Sequence, residues 1–213
     1  MSIQAVVFDF GGVFIDSPFA AVADAATRHG LDPQRLSDVV FGPYDQDTDH
    51  PWHRLERGEI TVIEARDQIV AGSVVDGGPE IDPFVVLAEL SGGEIRSEVV
   101  DFCREVRGQG ISTGLLTNNA KEFETFWRDL VPLDDLFDDV VDSSAVGMRK
   151  PDPRIYRLSL ERLGGIAPQH AVFIDDAPGN VAGALEVGMA AVHIGHQRSD
   201  VPAALAELRS LIR

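Results

Sequence analysis

Cysteine is nearly absent from this chain of 213 residues. Cys103 stands alone, which excludes an intrachain disulfide and suits a reducing compartment. Long apolar runs are missing too, with nothing approaching the ~18 to 20 residues that span a bilayer. The N-terminal stretch has no basic region followed by an apolar segment and a small-residue cleavage site, so no secretory signal is expected and a cytoplasmic location is. Basic side chains are scarce: 18 Lys and Arg stand against 35 Asp and Glu, a formal net charge of −17. Such a surface repels nucleic acid and anionic membranes, which are bound chiefly through cationic groups, and neither is expected as a partner. It also disfavours anionic substrates at long range. A phosphate site here would need its own local positive charge, from a divalent cation, a few basic side chains and backbone amides. Internal repeats and low-complexity tracts are absent as well.

What is present fits a soluble globule: 44% of residues are hydrophobic, and the length allows one substantial core with a smaller inserted unit. The first apolar run, from Ala5 to Phe8, breaks off at Asp9 and passes through Phe10 into Gly11-Gly12. That puts a carboxylate at the C-terminal end of a buried strand, the edge where open parallel sheets bind ligands. An Asp there can act as a nucleophile or merely cap a turn. Further strands are expected at Ser112 to Leu116, Ala171 to Ile174 and Ala190 to Ile194, with a weaker one near Asp138 to Val141. Helical patterns lie between them at Ser97 to Val106, Glu122 to Leu130, Arg154 to Leu163 and Val181 to Val187. Alternating strands and helices predict an α/β fold with a parallel sheet and helices on both faces.

The region from about Ser17 to Leu90 breaks this rhythm. It has no convincing strand, and its helical segments are Phe19 to Arg28, Pro33 to Val40, Trp52 to Leu55 and Val62 to Val74. Ser17-Pro18 reads as a helix start, with Ser as N-cap and Pro at the first helical position. Gly30 and Gly58 fall where helices should stop. An all-helical cap over residues 17–90 is expected, inserted in a core made of residues 1–16 and 91–213. Gly77-Gly78-Pro79 and Gly92-Gly93 are the expected hinge or loop positions.

Three more segments end apolar runs or begin helices with polar residues. In Leu116-Thr117-Asn118-Asn119 a strand runs into a hydroxyl and an amide before a helix, which makes either an anion-binding corner or an ordinary N-cap. In Arg149-Lys150-Pro151-Asp152-Pro153 two prolines restrain the backbone around Lys150, giving a fixed point charge for a phosphate or carboxylate, or else a surface lysine. In Ile174-Asp175-Asp176-Ala177-Pro178-Gly179-Asn180 two adjacent carboxylates suit Mg²⁺, unless they are solvated acids in a turn.

Taken in order, these four motifs resemble the haloacid dehalogenase-like hydrolase superfamily over nearly the whole chain. The chain is similar to members with an all-helical cap after the first strand, including sugar-phosphate phosphatases and the phosphatase domain fused to soluble epoxide hydrolases. The segment Trp52 to Ile60 also resembles the cap of that subgroup. The resemblance implies a Rossmann-like core and hydrolysis of a small phosphorylated metabolite with Mg²⁺ as cofactor. It implies that Asp9 is a nucleophile forming an aspartyl-phosphate, that Thr117 and Asn118 hold the phosphoryl oxygens, and that Lys150 neutralises Asp9 and the phosphoryl group. Asp9, Asp176 and the backbone carbonyl of Gly11 are the implied metal ligands. Asp175 is a nearby ligand or supporting partner, and Asn180 supports the same shell.

One position departs from the pattern. Most phosphatases of this superfamily carry a second Asp two residues after the nucleophile as general acid and base, and here that place holds Gly11. Haloacid dehalogenases lack this acid too, since halide expulsion needs none, and Arg154 and Tyr156 are compatible with that branch. The alternatives are therefore a metal-independent 2-haloacid dehalogenase or a phosphate-ligand binding protein with impaired turnover. The Asp175-Asp176 pair, which has little purpose without a cation, favours the Mg²⁺ enzyme. His50, Trp52, His53 and Arg54 are the cap residues expected to offer polar or aromatic groups to the site. His50 and His53 are the candidates to supply the missing proton.

Overall fold

The computed structural model describes residues 2–75, 79–88 and 94–213. The expected hinge glycines Gly77, Gly78, Gly92 and Gly93, and the expected domain boundary after residue 90, lie outside the described residues. Five strands form one parallel sheet: β1 (Ala5–Phe8), β2 (Ser112–Thr117), β3 (Asp139–Asp142), β4 (Ala171–Asp175) and β5 (Ala190–His193), in the order β3-β2-β1-β4-β5. The order reverses direction at β1, so the crevice beyond its C-terminal end is the topological switch point. Register sets what meets there. Phe8 is level with Leu115 on one side and Ile174 on the other, while Thr117 pairs with Asp142 and Asp175 with His193. Asp9, Thr117 and Asp175 thus leave the sheet at one edge.

Alternation along β1 divides the core. Val6 and Phe8 face one apolar cluster, shared with Val99, Phe102 and Cys103 of α6 (Ser97–Gly108) and Leu205 and Leu208 of α12 (Val201–Leu211). Ala5 and Val7 face the other, built with Ile155, Tyr156 and Leu160 of α10 (Pro153–Arg162) and Ala184 of α11 (Pro178–Glu186). The helix expected at Glu122 to Leu130 is shorter: a 3₁₀ turn, Lys121–Phe123, leads into α7 (Glu124–Arg128), and the single-turn helices α8 (Leu133–Leu136) and α9 (Ser143–Val146) follow. Helix α12 had no counterpart in the sequence reading.

The region after β1 is helical, with α1 (Pro18–His29), α2 (Pro33–Val40), α3 (Pro51–Glu56), α4 (Val62–Ser73) and α5 (Pro83–Ala88). Local chemistry starts each of the first four. Ser17, Asp32 and His50 cap α1, α2 and α3, each followed by Pro in the first turn, and Thr61 and Glu64 form a capping box on α4. These helices share their own apolar cluster, including Val22, Leu36, Trp52, Leu55 and Ile69, which also takes in Ala120 from the loop after β2. Helix α5 was not expected, since Phe84-Val85-Val86-Leu87 lacks helical periodicity. Among the described residues, no helix is long and apolar enough to cross a membrane.

Candidate active site

Asp9, Lys150, Asp175 and Asp176 converge beyond the C-terminal edge of β1 and β4. Lys150 Nζ lies 2.7 Å from Asp9 Oδ1 and 2.6 Å from Asp175 Oδ2. Oxygens of Asp9, Asp175 and Asp176 lie within 4.8 Å of one another. All four side chains are buried, Asp9 being only 7% exposed, and Thr117 is buried beside them. Three carboxylates thus face one ammonium. Two unit charges at this separation repel by about 3 kcal/mol at an effective dielectric near 20. Burial, then the charge of Asp175, pushes the Asp9 carboxyl well above the ordinary carboxylate range, against the pull of Lys150. Burial also raises Asp175. Burial alone would lower Lys150, but Asp175 and Asp9 outweigh it and hold the ammonium above its usual range. A buried, oxygen-only donor set with excess negative charge fits a hard divalent cation such as Mg²⁺.

The two aspartates of the fourth motif are held differently. Asp175 has both oxygens engaged. Oδ1 accepts from the Ala177 N–H at 2.8 Å and from Asn180 Nδ2 at 3.1 Å, and Oδ2 accepts from Lys150 and from Asn180 Nδ2 at 3.0 Å. Its place is that of a partner fixing Lys150, with Asn180 holding it. Asp176 accepts from the Ser17 hydroxyl through Oδ2, which also lies 3.3 Å from His196 Nδ1. Gly12 has φ 72°, and a Cβ there would collide with the Asp176 carboxylate. Only glycine lets the loop after Asp9 pass this close. Asn118 spends its side chain on Lys150: Oδ1 accepts from the lysine N–H at 2.8 Å and Nδ2 donates to its carbonyl at 3.0 Å.

Several of these partners carried no sequence signal. Ser17 was read only as an N-cap; it does accept from the Phe19 N–H at 3.2 Å, yet it also serves Asp176. His196 lies in the loop after β5, with no motif around it. Arg96, fully buried, donates to the Gly12 carbonyl and so braces the loop after Asp9 from the strand's far side.

The expected cap residues are placed otherwise. His50 Nδ1 caps α3 by accepting from the Trp52 N–H at 3.2 Å, and burial lowers its pKa. His53 is fully buried, and its Nδ1 accepts from the Thr48 N–H at 3.0 Å. Burial, followed by the charge of Arg149, lowers it to about 3. The His53 ring therefore carries no ionisable proton at neutral pH, and His50 Nδ1 is spent on the start of α3. Trp52 Nε1 donates to Glu56 at 2.9 Å, and Arg54 is turned toward Gln68 and Glu59. Nor do Arg154 and Tyr156 support a dehalogenase site, for Arg154 pairs with Asp152 at the surface and the Tyr156 hydroxyl donates to the Asn180 carbonyl at 2.7 Å.

A neutral buried histidine has a pH consequence. An unfolded His53 binds its proton near 6.5, whereas the folded one does so only near 3. Its contribution to stability is complete above pH 6.5 and is lost as pH falls toward 3, by up to about 1.4 kcal/mol per pH unit. Acid unfolding of His53→Gln should show a shallower fall over this range than the wild type. Equal slopes would contradict the assignment.

The site is closed. A Cβ on Gly179, at the start of α11, would lie 2.5 Å from Asp45 Cα and 2.8 Å from the Tyr44 carbonyl, so the loop between α2 and α3 rests directly on the segment after Asp176. A cleft of about 640 Å³ between α1 and the loop after β5 reaches Ser17 and His196, but Asp9, Thr117 and Lys150 do not line it.

The family profile of the haloacid dehalogenase-like hydrolases matches residues 3–188. Over 98% of its length the chain is 29% identical to sesquiterpene phosphatase astK of Aspergillus oryzae, covering 96% of that protein. It is also 29% identical to part of mouse acyl-CoA dehydrogenase family member 10 and 25% identical to part of rat bifunctional epoxide hydrolase 2. In each case 99% of the chain aligns, but it spans only 19% and 39% of those proteins. Among solved structures, a family enzyme of Bacteroides thetaiotaomicron in complex with magnesium and inorganic phosphate superposes with a TM-score of 0.64, at 22% identity, over 92% of this chain and 96% of that one. A dehalogenase with an intermediate complex superposes with a TM-score of 0.66, at 21% identity, over 99% and 97%. At these identities the superpositions speak for the fold.

Proposed function

The chain belongs to the haloacid dehalogenase-like hydrolases, and from that premise we propose that it is a Mg²⁺-dependent phosphatase acting on a small phosphorylated metabolite through Asp9. The observation that carries the reading is the buried cluster of Asp9, Lys150, Asp175 and Asp176 beside Thr117. Residues 17–90 are read as its cap domain, and the phosphatase name of a full-length relative supports the reaction class. A metal-free dehalogenase would have no use for Asp176, a buried carboxylate that accepts from Ser17 and lies 3.3 Å from His196 Nδ1.

In this reading an Asp9 oxygen attacks phosphorus, the bond to the leaving oxygen breaks, and that oxygen takes a proton from solvent. Lys150 holds the attacking carboxylate in line. Thr117 and the Asn118 N–H bind the phosphoryl oxygens through both steps. Water then attacks phosphorus, releasing inorganic phosphate and restoring the Asp9 carboxylate. Asp9, Asp176 and the Gly11 carbonyl would hold Mg²⁺, which when bound would supply positive charge at the site. A screen of phosphorylated metabolites with and without Mg²⁺ tests the reading, and no phosphate release from any of them would end it.

Gly11 gives a sharper expectation. With no acid at this position and neither cap histidine able to replace it, cleavage depends on how well the leaving group departs unaided. Aryl, acyl or anomeric sugar phosphates should react faster than simple alkyl phosphates. The backbone has room for an acid here, since a Cβ on Gly11 meets only Pro18 Cδ, at 3.7 Å. Gly11→Asp should therefore raise alkyl phosphate turnover, within the ~10²- to 10⁴-fold range of general acid catalysis, and raise aryl turnover less. Equal alkyl and aryl rates in the natural protein would contradict this.

A further inference from the structure

We infer that Glu56, on the helical cap, is a positioning residue for Lys150, acting through Arg149. The inference rests on the phosphatase reading for its kinetic test only. Arg149 and Lys150 are consecutive cations, and both are fully buried. Lys150 serves Asp9 and Asp175. Arg149 points the other way, into the cap: its Nε donates to Glu56 Oε2 at 2.7 Å, its Nη1 donates to the Gln46 carbonyl at 3.0 Å, and its guanidinium lies 4.7 Å from the Tyr44 ring centroid.

Glu56 is itself built in. Its Oε1 accepts from the Tyr44 hydroxyl at 2.7 Å and from Trp52 Nε1 at 2.9 Å, and its backbone carbonyl accepts from Ser143 Oγ at 2.6 Å. Two residues on, a Cβ at Gly58 would lie 2.6 Å from the Ser144 carbonyl, so the end of α3 sits on the core without a gap. The main chain of Lys150 is therefore gripped from both sides, by the Asn118 amide at the sheet edge and by Arg149 anchored in the cap.

Charge explains why the anchor matters. A buried guanidinium without a counter-charge is costly; Glu56 is the carboxylate Arg149 holds closely, at 2.7 Å, while Asp47, 3.8 Å from its Nη1, is shared with Arg57. Glu56 gives Arg149 a partner of its own and keeps it from competing for Asp9 and Asp175. Removal of that negative charge leaves Arg149 to turn toward the site and displace Lys150 from Asp9. Tyr44 and Trp52 donate to Glu56 rather than accept from Arg149, so they cannot replace it.

Glu56→Gln is the test, because it keeps size and an acceptor for Tyr44 and Trp52. With an aryl phosphate and Mg²⁺, kcat should fall about 10- to 100-fold, the scale of a misplaced reacting group, while KM changes by less than about threefold. Glu56→Asp, which keeps the charge, should lose less. A role confined to stability would leave kcat unchanged well below the melting temperature, and that result overturns the inference. Arg149→Lys, which keeps the charge but loses the Nε bond, carries the same kcat and KM split should Glu56→Gln fail to fold. A crystal structure of the folded variant reads positioning without any assay. Lys150 Nζ should stand outside hydrogen-bond distance of Asp9, and an unchanged pair overturns the inference. A wild type that releases no phosphate would fail the functional reading alone.

Discussion

Asp9→Asn should abolish phosphate release, by on the order of 10⁴- to 10⁶-fold, the scale on which catalysis collapses when a nucleophile or its base is removed. The substitution keeps the size of the side chain and its ability to accept from Lys150, but an amide oxygen is a poor nucleophile. The fold should survive. In the metal-free protein Asp9 is a buried carboxylate crowded by Asp175 and Asp176, held above its ordinary range by burial and then by Asp175. Replacing it with a neutral group removes that repulsion, and Lys150 keeps Asp175 at 2.6 Å. Without Mg²⁺ the variant should melt no lower than the wild type. Activity near the wild-type level would remove Asp9 from the chemistry, and a large drop in melting temperature would show that its role is structural.

Withdrawal of the metal should have the next largest effect. Chelation should stop turnover, and Asp176→Ala should weaken Mg²⁺ binding severely while leaving the Asp9, Lys150 and Asp175 arrangement in place. Because three carboxylates face one lysine, cation binding should also stabilise the fold. At a hundred times its dissociation constant, a ligand bound only by the native state contributes about 2.7 kcal/mol. For a chain of this size that is about 5 to 10 °C in melting temperature. Calorimetry of Mg²⁺ binding by Asp176→Ala reads the site apart from activity. Wild-type affinity in that variant would remove Asp176 from the metal site.

The sheet was legible because its strands are short β-branched and apolar runs that end at polar residues. Each expected strand is found within one or two residues, with the four motifs at one edge. Ser17-Pro18 marked the start of α1, but α5 and α12 were missed although Asp82-Pro83 and Asp200-Val201-Pro202 stand at their starts, with Asp82 accepting from the Phe84 N–H at 3.0 Å. The chemistry-bearing residues could be named because four motifs, taken in order, resemble those of a known family; three of them stand at strand ends, and Lys150 stands in the loop before α10. What holds them could not, since it depends on contacts across long separations: Glu56 with Arg149, Ser17 with Asp176, Arg96 with the Gly12 carbonyl. The cap histidines show the converse. Their residue type suggested proton transfer, but His53 is buried near Arg149 and accepts from the Thr48 N–H, and the His50 ring accepts from the Trp52 N–H as the cap of α3. Asn118 is a similar case, for its position suggested an anion ligand while its side chain is committed to the backbone of Lys150.

The most direct measurement compares two releases from one preparation. Inorganic phosphate is followed from p-nitrophenyl phosphate with Mg²⁺ and with chelator, and chloride is followed from 2-chloropropionate with chelator. Phosphate should appear only with Mg²⁺, should vanish in Asp9→Asn, and no chloride should be released. Metal-independent chloride release without phosphate release would identify a dehalogenase and contradict the proposal, and release of neither would leave a protein that binds phosphorylated ligands without turning them over.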